Sequence, residues 1–61
     1  MASESQKTQI TNLSLAVALA RGTQITEDEI RDAFVAGGYK YTDNEVSEVA
    51  AAVNQRAFQK N

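Results

Sequence analysis

An apolar residue directly before a threonine, with a second apolar residue four positions after it, occurs three times in this chain of 61 residues. The three sets are Ile10-Thr11 with Leu15, Ile25-Thr26 with Ile30, and Tyr41-Thr42 with Val46. This spacing is typical of a helix N-terminus, where threonine caps the first turn and the apolar pair closes over it as a hydrophobic staple. Glu29 and Glu45 stand three residues after the second and third threonines and complete capping boxes. The pattern therefore predicts three helices.

Glycines mark the predicted ends of the first two helices. Gly22 comes directly after Ala20-Arg21 at the end of the first helix, and the second helix stops at Gly37-Gly38. Glycine at such a place commonly takes the left-handed backbone conformation that ends a helix. The predicted helices cover residues 9–21, 27–37 and 43–58, after a flexible N-terminal arm over residues 1–8. The alternative for the arm is an extra turn of the first helix, with Ser3 or Ser5 as an earlier cap. Short linkers between helices favour a single all-α domain over residues 9–61, a compact three-helix bundle or orthogonal array.

The small size of the chain limits the core that it can bury. Small domains usually compensate with disulfides, a metal or a partner chain. The sequence contains no cysteine and no histidine, which removes disulfides and the usual zinc ligands together. Association with a protein, either another chain or a second copy, is the remaining way to add to this small core. An unusually well-packed monomer is the alternative.

The predicted helices differ in how their apolar residues are distributed. The second helix has one apolar stripe, and so does the third: Ile30, Ala33, Phe34 and Gly37, then Val46, Val49, Ala50, Val53 and Ala57. The first helix is apolar on two sides: Ile10, Leu13, Ala16, Val17 and Ala20 on one, and Leu15, Ala18 and Leu19 on the other. Either this helix is packed centrally between the other two, or its second face contacts another chain.

The candidate interface residues come from this excess of apolar side chains. Leu15 and Leu19 lie opposite the predicted core face of the first helix, so we expect them to contact a partner. Tyr39 and Phe58 are further candidates, because large aromatic side chains often anchor interfaces. For Tyr39 the alternative is that it covers the end of the core with its hydroxyl in water. Tyr41 is expected to be the staple partner of Val46.

Residues with catalytic or metal-binding chemistry are sparse. The densest carboxylate group, Glu27 to Asp32, is explained by helix capping and the helix dipole. The segment from Gly37 to Glu45 lacks the alternating oxygen ligands of a calcium loop. We therefore expect no enzyme, no catalytic residue, no cofactor, no metal and no small-molecule substrate.

Nucleic-acid binding is the main alternative. Two helices joined by a short glycine-containing turn have the outline of a helix-turn-helix. The net charge of −2 opposes that function, as do the acidic residues that open the third helix. A basic patch would require Lys7, Arg56 and Lys60 to converge.

The sequence as a whole predicts a protein–protein interaction module, a regulator or inhibitor that acts by binding a protein: another chain, a second copy in a homodimer, or both. A helix-turn-helix transcriptional regulator is the alternative. The polar N-terminus lacks the apolar region of a secretory signal, and the longest apolar run, Leu15 to Ala20, is too short to cross a membrane. A cytoplasmic location is the resulting expectation.

Overall fold

Three helices pack together in this computed structural model, which describes residues 1–59. They are α1 (Glu4–Arg21), α2 (Glu27–Ala36) and α3 (Asp43–Phe58). α1 packs chiefly against α3, and α2 lies against both. The radius of gyration of the Cα atoms is 10.7 Å, as expected of a compact bundle of this length. The predicted all-α architecture of three helices is confirmed.

The N-termini of α2 and α3 are capped as predicted. The N–H of Glu29 donates to the Thr26 hydroxyl at 3.3 Å, and the N–H of Thr26 donates back to the Glu29 carboxylate at 3.1 Å. Thr42 and Glu45 make the same reciprocal pair at 3.2 and 2.9 Å. Each box satisfies two backbone donors that would otherwise lack a partner inside the helix.

Glycines end α1 and α2. Gly22 has φ 72° and donates its N–H to the carbonyl of Ala18, which is the predicted left-handed end of α1. α2 ends at Ala36, one residue earlier than predicted, with right-handed Gly37 as its C-cap and Gly38 at φ 73°. Glycine reaches these positive φ values without the steric cost that a Cβ would add.

The start of α1 differs from the prediction. α1 begins at Glu4, so residues 4–8 are helical and the predicted arm over residues 1–8 is wrong for them. Ser3 is the N-cap, with its hydroxyl accepting from the N–H of Gln6 at 3.1 Å and its own N–H donating to the Gln6 side chain at 3.0 Å. Thr11, the expected cap, lies inside the helix and donates its hydroxyl to the carbonyl of Lys7. A Ser-x-x-Gln capping box thus starts the helix upstream of the apolar staple pattern.

The core is built from apolar side chains of all three helices. Phe34, Ile30, Val46 and Val53 are its largest fully buried members. The ring of Tyr41 stacks on Phe34, with centroids 5.6 Å apart. Tyr41, expected from the sequence to be the staple partner of Val46, therefore packs on the buried ring of Phe34.

The orientation of α1 also differs from the prediction. Its buried line is Ile10, Ser14 and Ala18. Leu13 and Val17, both assigned to the core face, are exposed. Small side chains at positions 14 and 18 permit close approach of the packed helices, which bulkier leucine and valine would prevent. α1 therefore buries the side that carries Ile10, Ser14 and Ala18, and exposes the side that carries Leu13 and Val17.

Two polar contacts join segments that are distant in sequence. The Asn54 side chain, on α3, accepts from the N–H of Ile25 at 2.8 Å and donates to the carbonyl of Ile25 at 3.0 Å. The Glu45 carboxylate accepts from the backbone N–H of Ala2 through both oxygens. The first contact fixes the linker between α1 and α2 onto α3, and the second fixes the residues before α1 onto the start of α3.

Candidate functional site

The exposed side of α1 is uncharged over residues 8–20, because Lys7 and Arg21 are the nearest charged residues on either side. Leu13 and Leu19 are each 57% exposed there, and Val17 is exposed beside them. We call the following set of exposed residues the α1 surface: Thr8, Gln9, Asn12, Leu13, Ala16, Val17, Leu19 and Ala20. Several exposed apolar side chains on one side of a helix commonly mark a site of interaction.

Large and small side chains alternate along the α1 surface. Leu13 and Leu19 project, while Ala16, between them along the helix axis, and Ala20, directly after Leu19, have small side chains that leave shallow hollows. Helices pack closely when the projecting side chains of one enter the hollows of the other. The α1 surface therefore has the form of a helix-packing face that no other helix of this chain covers within residues 1–59.

A groove of about 260 Å³ runs along one edge of this surface, between α1 and α2. Its lining consists of Leu13, Ser14, Val17, Ile25, Glu29, Asp32 and Ala33. Arg21 binds Glu29 at one end, and this hydrogen bond lowers the pKa of the Glu29 carboxyl, with a further contribution from the N–H of Thr26. The groove is open, and its volume falls below the roughly 300–1,000 Å³ of typical small-molecule pockets.

The four predicted interface residues lie in different environments. Leu15, Tyr39 and Phe58 are partly buried and pack against the core. The Tyr39 hydroxyl also donates to the side chain of Gln9 on α1. Leu19 alone is largely exposed, so the structure does not bring the four together as one surface.

Leu13 and Val17 are the exposed apolar residues that sequence reasoning assigned to the core. Their spacing of four residues is equally typical of a buried stripe and of an exposed one. Ser14 is the only residue of this apolar run whose type bears on which face of α1 is buried. A small polar residue amid an apolar run separates two candidate faces, but nothing local shows which of them is buried.

Three of the basic side chains, those of Lys7, Arg21 and Arg31, are paired with carboxylates. Lys7 lies 2.9 Å from Glu4 and 3.9 Å from Glu48, and its hydrogen bond to Glu4 is the main reason that its pKa is raised. Arg31 pairs with Asp28 on α2. The patch of Lys7, Arg56 and Lys60 considered for DNA binding includes Lys60, which lies outside the described residues.

No helix within residues 1–59 combines the length and apolar composition needed to cross a membrane. That part of the chain also has no group of three or more acidic side chains placed to hold a metal ion. No protein family, curated protein or solved structure matches this chain. Its function is therefore inferred from the surface itself.

Proposed function

We propose that this protein is a protein–protein interaction module that binds through the α1 surface. The observation that carries the proposal is the exposure of Leu13, Val17 and Leu19 on a stretch of helix without a charged side chain. Burying a leucine contributes about 1.5–3 kcal/mol relative to leaving it in water. Each leucine is 57% exposed, so a partner that covers both would recover the corresponding part of this free energy.

The occupant that we propose is the α1 helix of a second copy, antiparallel to the first. With Ala16 facing the partner's Ala16, Leu13 lies at the same level along the helix axis as the partner's Leu19 but at the opposite edge of the contact, and the twofold axis repeats this arrangement. Each leucine then meets the hollow beside an alanine. The absence of charge matters here, because two copies of a chain with net charge −2 would otherwise bring like charges together.

The proposed contact is small, and its affinity should be low. Residues 8–20 extend about 18 Å along the helix axis at roughly 1.5 Å per residue. A single helix pair of this length buries less than the roughly 1,200–2,000 Å² of a standard stable interface. We therefore expect a reversible dimer with a dissociation constant in the micromolar to millimolar range, which suits a regulator that exchanges partners.

The proposal is tested by measuring the native mass of the protein at a series of protein concentrations. The wild-type mass should rise from 6.6 kDa toward twice that value between micromolar and millimolar protein. The double variant Leu13→Gln/Leu19→Gln should stay monomeric over the same range. Far-ultraviolet circular dichroism should show unchanged helix content, because both side chains are exposed in the monomer.

A matched control is available on α2. Val35 is 63% exposed and lies outside both the α1 surface and the groove, so Val35→Gln should dimerise like the wild type. A wild-type chain that remains monomeric at millimolar concentration would refute the second copy as occupant. Dimerisation of the double leucine variant with wild-type affinity would place the contact elsewhere.

A further inference from the structure

The groove between α1 and α2 combines apolar walls with negative charge. Leu13 and Val17, one turn apart on α1, form one wall. The α2 side carries Ala33 together with two carboxylates, those of Glu29 and Asp32. An occupant of the groove therefore meets apolar groups along its length and carboxylates along one edge.

Two side-chain bridges fix the walls of the groove relative to each other. At one end, Arg21 on α1 binds Glu29 on α2. Beyond the other end, one turn before Leu13, Gln9 on α1 accepts from the hydroxyl of Tyr39 in the linker after α2. The groove is therefore formed before any partner binds, and a ligand does not have to open it.

Asp32 is the carboxylate of this groove that has no ion-pair partner within residues 1–59. Its side chain is exposed. The cation next to it in the sequence, Arg31, pairs with Asp28 instead, and Arg21 pairs with Glu29. The groove therefore offers an available negative charge beside its apolar walls.

Charge complementarity selects the kind of side chain that fits the groove. Any side chain that fills it takes Asp32 partly out of water, and covering a carboxylate without a cation is unfavourable. Lysine and arginine both have an apolar stem that ends in a charged head. The guanidinium of arginine is the more weakly hydrated of the two heads, and it can donate two parallel hydrogen bonds to one carboxylate.

We propose that the groove is a docking site for an arginine side chain of another protein. The methylene groups of that arginine lie between the wall of Leu13 and Val17 and the side chain of Ala33, and its guanidinium donates to the carboxylate of Asp32. The uncharged α1 surface beside the groove suits an apolar residue one turn away from the arginine on a helix of the partner.

The proposal does not rest on self-association of the chain. The groove and the α1 surface share Leu13 and Val17, so the arginine-bearing partner and a second copy compete for this chain. Leu19 belongs to the α1 surface but does not line the groove, which allows the two kinds of binding to be separated by substitution.

NMR titration of the isotope-labelled chain, at a concentration at which it is monomeric, tests the proposal. The probes are three blocked, alanine-based helical peptides that carry a leucine and, one turn away, arginine, its uncharged isostere citrulline, or a second leucine. The amide signals of Leu13, Val17, Asp32 and Ala33 should shift. We expect the arginine peptide to bind about tenfold more tightly than the other two, because of its charge-assisted hydrogen bonds. Added sodium chloride should reduce this preference.

Substitution on α2 identifies the acceptor. Asp32→Asn should remove the preference for arginine over citrulline. Asp43→Asn is the matched control, because Asp43 is exposed on α3, lies outside the groove and changes the net charge equally. It should retain the preference.

The outcomes separate this proposal from self-association. Leu19→Gln should weaken self-association and bind the arginine peptide like the wild type. A wild type that binds this peptide but never dimerises would contradict only self-association. The docking site would be refuted by absence of binding, by equal affinity for the citrulline or leucine peptide, by a preference that survives Asp32→Asn, or by loss of binding in Leu19→Gln.

Discussion

Single polar side chains determine how the parts of this small molecule meet. Asn54 uses its amide oxygen and its amide nitrogen on the same residue, Ile25, which lies 29 positions earlier in the chain. Glu45 combines a local role in capping α3 with a contact to Ala2, 43 positions away. In the sequence Glu45 is recognisable only as a capping residue, because its second contact is created by the fold.

The first prediction concerns Asn54. Replacing it with alanine leaves both the N–H and the carbonyl of Ile25 without their side-chain partner in a partly buried place. We expect Asn54→Ala to lower the free energy of unfolding by about 1–3 kcal/mol, as for other buried polar groups that lose a hydrogen bond. Urea denaturation followed by circular dichroism measures the change.

Gln55 supplies the comparison for this substitution. It is exposed on the next position of α3, so Gln55→Ala should change the free energy of unfolding by no more than about 0.5 kcal/mol. If Asn54→Ala proved equally mild, the linker between α1 and α2 would not depend on this side chain.

At the scale of the helix, prediction from sequence succeeded where the determining contacts are local. The boxes at Thr26 and Thr42 and the ending at Gly22 each involve residues within a few positions of one another. The face that α1 buries depends instead on how closely α3 approaches it, which no local pattern encodes. The exposure of Leu13 and Val17, and hence most of the candidate site, could therefore not be predicted from the sequence.

The two threonines at predicted caps should respond differently to substitution. Thr42→Ala removes a true cap and should cost about 0.5–2 kcal/mol of stability. Thr11→Ala removes only a hydroxyl bonded to a carbonyl within α1, and alanine is the better helix former, so the change should stay within about 0.5 kcal/mol. Chemical denaturation of both variants provides the measurement. Similar losses for the two would contradict the observed start of α1.

For the whole molecule, carboxylates link stability to acid pH. The pKa of Glu45 lies below its ordinary value of 4.5, chiefly because the N–H of Ala2 donates a hydrogen bond to the carboxylate. The pKa of Glu29 is also lowered, chiefly because the Arg21 side chain donates to it. Both groups are therefore more acidic in the folded chain than in the unfolded chain. Their contribution is complete above pH 4.5 and is lost as pH falls through the lowered values.

This linkage predicts the acid behaviour of a double variant. Glu29→Gln/Glu45→Gln should be less stable than the wild type at pH 7, and its stability should decline less between pH 4.5 and more acidic conditions. Thermal midpoints recorded at a series of pH values give both quantities. An identical acid-induced loss in the two proteins would assign the linkage to other carboxylates.

The uncharged α1 surface has a consequence for how the protein responds to ionic strength. Contacts between oppositely charged surfaces weaken when salt is added, because mobile ions screen them. The residues of the proposed contact carry no charge, so the electrostatic effect that salt would screen is the repulsion between two chains of net charge −2. Self-association should therefore hold or strengthen as sodium chloride is raised from low to molar concentration, and sulfate should favour it further. A dimer that forms through this surface should persist at salt concentrations that dissociate complexes held together by opposite charges.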